Sequence, residues 1–185
     1  MFSPFKWYIK WRHSKGYGVH SPYAYRFVTD VLRPGPYGYY SYWEIEDQLR
    51  REERTDYKFI NLIKLTIRLA IFLNSKRIVS ERKSRLAEVV ARCLKLERIS
   101  ISKSENFSFQ DSDLLILSGE NENETLLRNA IGKGIPVFAI HPSHKEKEIL
   151  ETPIARGLLL KDSSRIILVP RPEMSYTSYP ILLNL

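Results

Sequence analysis

Ile78-Val79-Ser80-Glu81-Arg82-Lys83-Ser84-Arg85 reads as a short strand running into a helix. In a nucleotide-binding α/β fold, this turn holds a glycine-rich loop that lets the backbone approach a ligand. Here the turn holds charge and two serines, and no glycine. From this point the chain alternates. Arg77–Ser80 is a strand, Ser84–Leu96 a helix and Arg98–Ser102 a second strand, followed by a polar loop through Asp111. Asp113–Ser118 has the composition of a buried strand. Glu122–Lys133 is a helix that ends at Gly132 and Gly134, Ile135–Ile140 a strand, and Lys145–Glu151 a short helix. Such alternation predicts an α/β fold: a Rossmann-like, mainly parallel sheet covered by helices. The apolar runs Arg165–Val169 and Pro180–Leu183 lie too close for a helical crossover, so they are expected to pair antiparallel as a C-terminal hairpin. The stretch between Ser102 and Asp113 is too short for a further strand and helix, which predicts a reduced sheet.

Residues 59–185 are expected to form this α/β domain, and residues 1–58 a basic, aromatic, helical N-terminal extension. Residues 5–13 read as a short helix or an extended arm. In a helix, Trp7 and Trp11 would share one face. Gly16 and Gly18 break the pattern. Ser21-Pro22 reads as an N-cap followed by proline at the first helical position, leading a helix from Tyr23 to Leu32. Arg33-Pro34-Gly35-Pro36-Tyr37-Gly38 ends it. Ser41, with Glu44 in the capping-box place, is expected to start a helix from Trp43 to about Arg54. The run from Phe59 to Leu73 is apolar around most of a helical circumference, so it is expected to be buried.

At 43% hydrophobic and 12% aromatic residues, the chain can bury a real core. Its one cysteine, Cys93, lies in a helical pattern and reads as a small buried apolar residue without a disulfide partner. No run approaches the ~18 apolar residues of a membrane span, and a cytoplasmic location is the expectation. The net charge of +8 favours acidic partners: nucleic acid, an anionic membrane surface or an acidic protein. Residues 1–15 carry Lys6, Lys10, Arg12 and Lys15 and no acid, whereas residues 44–58 mix both signs as a solvated helix face does.

Two stretches carry a family resemblance. Gly18-Val19-His20-Ser21-Pro22-Tyr23-Ala24-Tyr25 resembles the N-terminal His-Ser-Pro-aromatic segment of a Bacteroidetes family of class I S-adenosylmethionine-dependent methyltransferases, predicted O-methyltransferases. Tyr39-Tyr40-Ser41-Tyr42-Trp43-Glu44-Ile45-Glu46 is similar to the Tyr-Tyr…Glu-x-Ile-Glu stretch that follows in that family. The order of elements, terminal hairpin included, extends the resemblance over nearly the whole chain. The resemblance implies four functional positions, and this chain departs from each. The glycine loop is replaced by Ser80, Glu81, Arg82 and Lys83. The ribose-binding acid after the second strand is replaced by Ser102 or Lys103. The Asp-Gly after Asp113-Leu114-Leu115-Ile116-Leu117 becomes Ser118-Gly119. The acidic pair after the next strand becomes Ala139-Ile140, followed by His141-Pro142-Ser143-His144. Any Cβ in the glycine loop crowds the cofactor, and serine cannot supply a carboxylate's charge.

The cleft candidates are Ser80, Glu81, Ser102, Ser118, His141 and His144, because ligands bind at the C-terminal edge of open α/β sheets. Each has a plainer reading. Glu81 in a charged turn is ordinarily solvated. His141 and His144 with Glu146 and Glu148 match no strong metal signature, so no metal is expected. Ser21 beside His20 reads as a helix cap rather than a nucleophile, and nothing supports Cys93 as one.

The second candidate site is the segment Phe5-Lys6-Trp7-Tyr8-Ile9-Lys10-Trp11-Arg12-His13-Ser14-Lys15. Its surface-binding candidates are Lys6, Trp7, Lys10, Trp11, Arg12 and Lys15. Aromatics interleaved with cations can stack on bases and contact phosphates, or sit at a membrane interface. The plainer reading is a helix that docks its tryptophans on the domain or on a second subunit. Tyr37, Tyr39, Tyr40, Tyr42 and Trp43 form another aromatic cluster, expected to pack.

These readings favour a degenerate, non-catalytic methyltransferase-like protein that acts as a binding or scaffold domain and needs no cofactor. One alternative is a working O-methyltransferase that holds S-adenosylmethionine atypically through Ser80, Glu81, Ser102 and Ser118. Another is a structural subunit of a larger assembly, a homo-oligomer included.

Overall fold

The computed structural model describes residues 4–33, 46–47, 49–51, 56–81, 84–101, 107–118, 124–152 and 156–182. Helix α1 (Pro4–Ser14) opens the chain. Helix α2 (Pro22–Phe27) starts as its sequence predicts: the Ser21 hydroxyl accepts from the Ala24 amide at 3.3 Å, and Pro22 occupies the first turn, where its missing N–H is not needed. The expected single helix to Leu32 is in fact two segments, because Val28–Leu32 widens into a π-helical turn. The buried guanidinium of Arg68 donates through Nε to the Val31 carbonyl in that turn. The expected caps Ser41 and Glu44, the 34–38 loop and the aromatic cluster from Tyr37 to Trp43 lie outside the described residues. Residues 46–47 and 49–51 are helical. There Lys64 and Arg50 hydrogen-bond Glu46 and hold its carboxyl below the usual range.

Helix α3 (Tyr57–Phe72) is capped by the Asp56 carboxylate, which accepts from the Lys58 amide at 3.3 Å. It is as buried as its apolar circumference predicts: Ile60, Ile63, Leu65, Ile67 and Leu69 are all inaccessible or nearly so. The alternating half follows: β1 (Arg77–Glu81), α4 (Arg85–Leu94), β2 (Glu97–Ile101), β3 (Asp113–Ser118), α5 (Glu124–Gly132), β4 (Val137–Ile140), α6 (His144–Glu151), β5 (Gly157–Lys161), β6 (Arg165–Pro170) and β7 (Thr177–Pro180). Residues 107–112, between β2 and β3, carry no helix or strand.

The sheet has seven strands in the order β2-β1-β3-β4-β6-β5-β7. β2, β1, β3 and β4 are parallel neighbours, and β6 enters antiparallel between β4 and β5. The architecture is Rossmann-like α/β. Alternate residues of each strand feed two cores. On one face Ile78, Leu114, Ile116, Phe138 and Leu160 pack with α2, α3 and α4. On the other, Val79, Leu115, Leu117, Val137 and Leu159 pack with α5 and α6.

The terminal hairpin exists, but between other partners than expected. β6 pairs antiparallel with β5, the run Gly157-Leu158-Leu159-Leu160-Lys161, which the sequence reading passed over. The 180–183 run does not pair with Arg165–Val169. Its neighbourhood forms β7, which lies parallel to β5 on the far side. The direction expected for the last strand holds, yet β5 stands between it and β6. The physical reason is turn length. Asp162-Ser163-Ser164 makes a tight β5–β6 connection in which Asp162 Oδ1 accepts from the amides of Ser164 (2.7 Å) and Arg165 (2.8 Å).

Gly157 makes this arrangement possible. Its φ is +142°, and a Cβ there would lie 2.2 Å from the Val169 carbonyl oxygen. The obstacle is backbone of the paired strand, so it cannot swing away. At the other end of the sheet's logic, Arg77 and Asp113 stand opposite each other in register and form a two-bond pair, Nε to Oδ1 at 2.6 Å and Nη2 to Oδ2 at 2.7 Å. The Asp113 side chain is inaccessible and also accepts from the Gln110 amide at 2.8 Å. The hydrogen bonds to Asp113 push the Arg77 pKa above its ordinary value.

Two stability outcomes follow. Asp113→Asn should cost about 3–5 kcal/mol in urea unfolding, while Arg77→Met with Asp113→Leu should cost much less, because breaking a buried pair is worse than replacing it. Gly157→Ala should cost at least about 1–3 kcal/mol from backbone strain alone, seen as a lowered thermal midpoint. An unchanged midpoint would mean β5 and β6 part easily.

Candidate functional site

The chain leaves β1 toward β2 on one side and later places β3 on the other, so the strand order reverses between β1 and β3. In open α/β sheets that reversal opens a crevice at the C-terminal strand ends. Ser80 and Ser118 stand at those ends. Ser80 is opposite Ile116 in register, so both serines point to the face covered by the N-terminal helices. Ser80 is completely buried and Ser118 half-buried. Glu81 closes β1 opposite Ile101. Ser102, Lys103, Arg82, Lys83 and Gly119 lie outside the described residues.

His141 follows β4 at the same edge. Its φ of +50° is left-handed, a conformation that histidine takes more readily than most residues. Its amide donates to the Ser164 carbonyl at 2.6 Å, tying the end of β4 to the β5–β6 turn. The ring is exposed. His144 does not join it. His144 lies one helical turn from Glu148, Nδ1 to Oε1 at 3.3 Å, with both side chains largely exposed. Glu146 is turned inward instead, where Ser143 and Glu146 form a reciprocal capping box at the start of α6. Among the described residues no group of three or more His, Cys, Asp or Glu side chains is arranged to hold a metal ion.

The candidate nucleophiles resolve into structural roles. Ser21 is the α2 cap, and His20 is exposed beside it. Burial pushes the Cys93 thiol up from its ordinary value, the opposite of what a reactive thiolate needs. A groove of about 430 Å³ includes Lys133, Arg156 and Arg171 in its lining, and another of about 380 Å³ lies between α5 and α6. Ser80, Ser118 and His141 line neither.

The second candidate site is helical from Phe5 to Ser14, with Lys15 in the turn that follows. α1 is attached by its C-terminal end. His13 Nδ1 donates to the Pro180 carbonyl at 3.1 Å, which sets the tautomer, and its ring meets Tyr179 edge-on at 5.4 Å. β7 is the outermost strand, so α1 packs beside an otherwise open sheet edge. The tryptophans are not sunk into the domain. Trp7 and Tyr8 each stack on Trp11, at 6.5 and 6.0 Å between centroids. Arg12 lies 5.9 Å over Tyr8, and Lys15 lies 6.0 Å over Trp11. Phe5 is 70% exposed, Trp7 43% and Tyr8 49%. Lys6 is exposed, and Lys10 is partly covered.

Tyr17 and Tyr25 are also exposed and were not among the candidates read from the sequence. A sequence signal for them exists: the acid-free stretch continues past Lys15, through Arg26, as far as Asp30. Comparison with protein-family models, with curated proteins and with solved structures finds no match for this chain.

The raised thiol pKa has a measurable consequence. Near neutral pH Cys93 should react with a thiol-specific disulfide reagent at least about tenfold more slowly than in the urea-unfolded chain, because less thiolate is present and access is restricted. Equal rates would contradict the burial of this helix face.

Proposed function

We propose that this chain is a methyltransferase-like α/β domain that acts by binding rather than by methyl transfer, with α1 as its contact arm. One observation carries the reading. α1 is tied to the body through His13, while Phe5, Trp7 and Tyr8 stay exposed among Lys6, Arg12 and Lys15. Apolar rings left exposed beside cations suit a partner surface.

The switch-point edge supports the non-catalytic half. The described ends of β3 and β4 present Ser118 and Ile140, neither of which supplies the carboxylate that the family resemblance implies there. Ser80 is buried under the N-terminal helices, where a cofactor loop would need to be open.

The alternative, an O-methyltransferase with an atypical site, draws on one feature. His141 holds a left-handed backbone at the C-terminal edge, and strained residues cluster at ligand sites. Calorimetric titration of the whole chain with S-adenosylmethionine and S-adenosylhomocysteine decides between the two. The expected result is no saturable heat up to about millimolar ligand, a range equal to binding energies of only about 4 kcal/mol. Saturable micromolar binding would overturn the non-catalytic reading and make His141 the first residue to replace.

A further inference from the structure

We propose that the surface α1 contacts is the interfacial layer of an anionic lipid bilayer. This rests on the reading of α1 as a contact arm and names its partner.

Charge sets the sign of the partner. The first 29 residues hold Lys6, Lys10, Arg12, Lys15 and Arg26 and not one carboxylate. No acid stands in the first turn of α1, so the positive end of the helix dipole is uncompensated there. The partner is therefore anionic.

The aromatic geometry separates lipid from nucleic acid. A base needs an open ring face on which to stack. Here Trp7 and Tyr8 stack on Trp11, and Arg12 and Lys15 lie over Tyr8 and Trp11. Each of the three rings thus already has a side chain against at least one of its faces. A membrane interface accepts that presentation, because it takes up the apolar body of the ring and keeps polar tips at headgroup level. Phe5, the most exposed of the set, has no polar group to offer a phosphate or a base edge.

Placement on the helix agrees. At about 100° per residue, Trp7, Tyr8 and Trp11 point roughly 120–160° away from His13, the residue that faces the body. Lys10 flanks the aromatic stripe on one side and Arg12 on the other, positions from which long cationic stems reach headgroup phosphates, while Lys6, seven residues before His13, lies nearer the His13 side of the helix but is exposed. Tyr17 and Tyr25, beyond the helix, are exposed as well. Among the described residues no helix is long and apolar enough to cross a membrane, so the contact is peripheral and lies along the surface.

The test is flotation of the full chain with vesicles of phosphatidylcholine containing about one third phosphatidylglycerol, a content that gives a negative surface potential. Phosphatidylcholine vesicles alone and a single-stranded oligonucleotide run in parallel. The expected result is co-flotation with anionic vesicles only, a blue-shifted tryptophan emission, and release as salt rises. Phe5→Ala with Trp7→Ala, and separately Lys6→Glu with Lys15→Glu, should each weaken vesicle binding about tenfold or more, with unchanged circular dichroism and thermal midpoint. Because one pair removes apolar area and the other only charge, a folding defect in one leaves the other to decide. Equal binding to neutral and anionic vesicles overturns the proposal. Binding to the oligonucleotide but not to vesicles overturns the lipid assignment and leaves the contact arm standing. Binding to neither overturns both.

Discussion

The bidentate pair between Arg77 and Asp113 is the contact on which the rest of the sheet depends. It joins the first residues of β1 and β3, the two strands where the chain reverses its direction of growth across the sheet. Side chains alternate with a period of two, so a slip of one residue would send Ile78 and Leu114 to the wrong face and Val79 and Leu115 to the other. Hydrophobic burial alone tolerates that slip poorly, but it has no direction. The guanidinium fork and the carboxylate do, and the Gln110 amide holds the carboxylate from a third side. With this register set, Ser80 and Ser118 fall at the same edge and on the same face.

That face is covered by helices from before the sheet. Phe27, Val28 and Val31 of the N-terminal segment share a core with Ile78 of β1 and Ile181 beyond β7. Ser80, near the C-terminal end of β1 on the same face, is completely buried.

The opposite tendency governs α1. Trp7 and Tyr8 stack on Trp11, and Arg12 and Lys15 lie over the rings of Tyr8 and Trp11. Stacking of this kind orders the side chains without hiding them, which lowers the entropy lost when they meet a surface. The same helix lies beside β7, where an open strand edge would otherwise invite pairing with another chain. One element thus combines a structural duty at its C-terminal end with an exposed surface toward its N-terminal end.

What the sequence determined by itself is whatever depends on neighbours a few residues away. The alternation from Arg77 to Glu151, the Ser21 cap with Pro22 behind it, the buried character of the helix ending at Phe72, and the acid-free aromatic start are all local in origin. Periodicity, capping and charge density act over one or two turns, so they are visible in a single chain. What only the tertiary structure decided is which distant groups meet. The place of β5 between β6 and β7 depends on Gly157, where a Cβ would lie 2.2 Å from the Val169 carbonyl oxygen. The Arg77–Asp113 pair joins residues 36 apart, and the His13–Pro180 anchor joins residues 167 apart. Whether Trp7 is docked or exposed follows from that anchor, because a helix held at His13 must turn its other side to solvent. No local pattern encodes that choice, since the same residues in the same helix would be buried had the chain closed against a different strand.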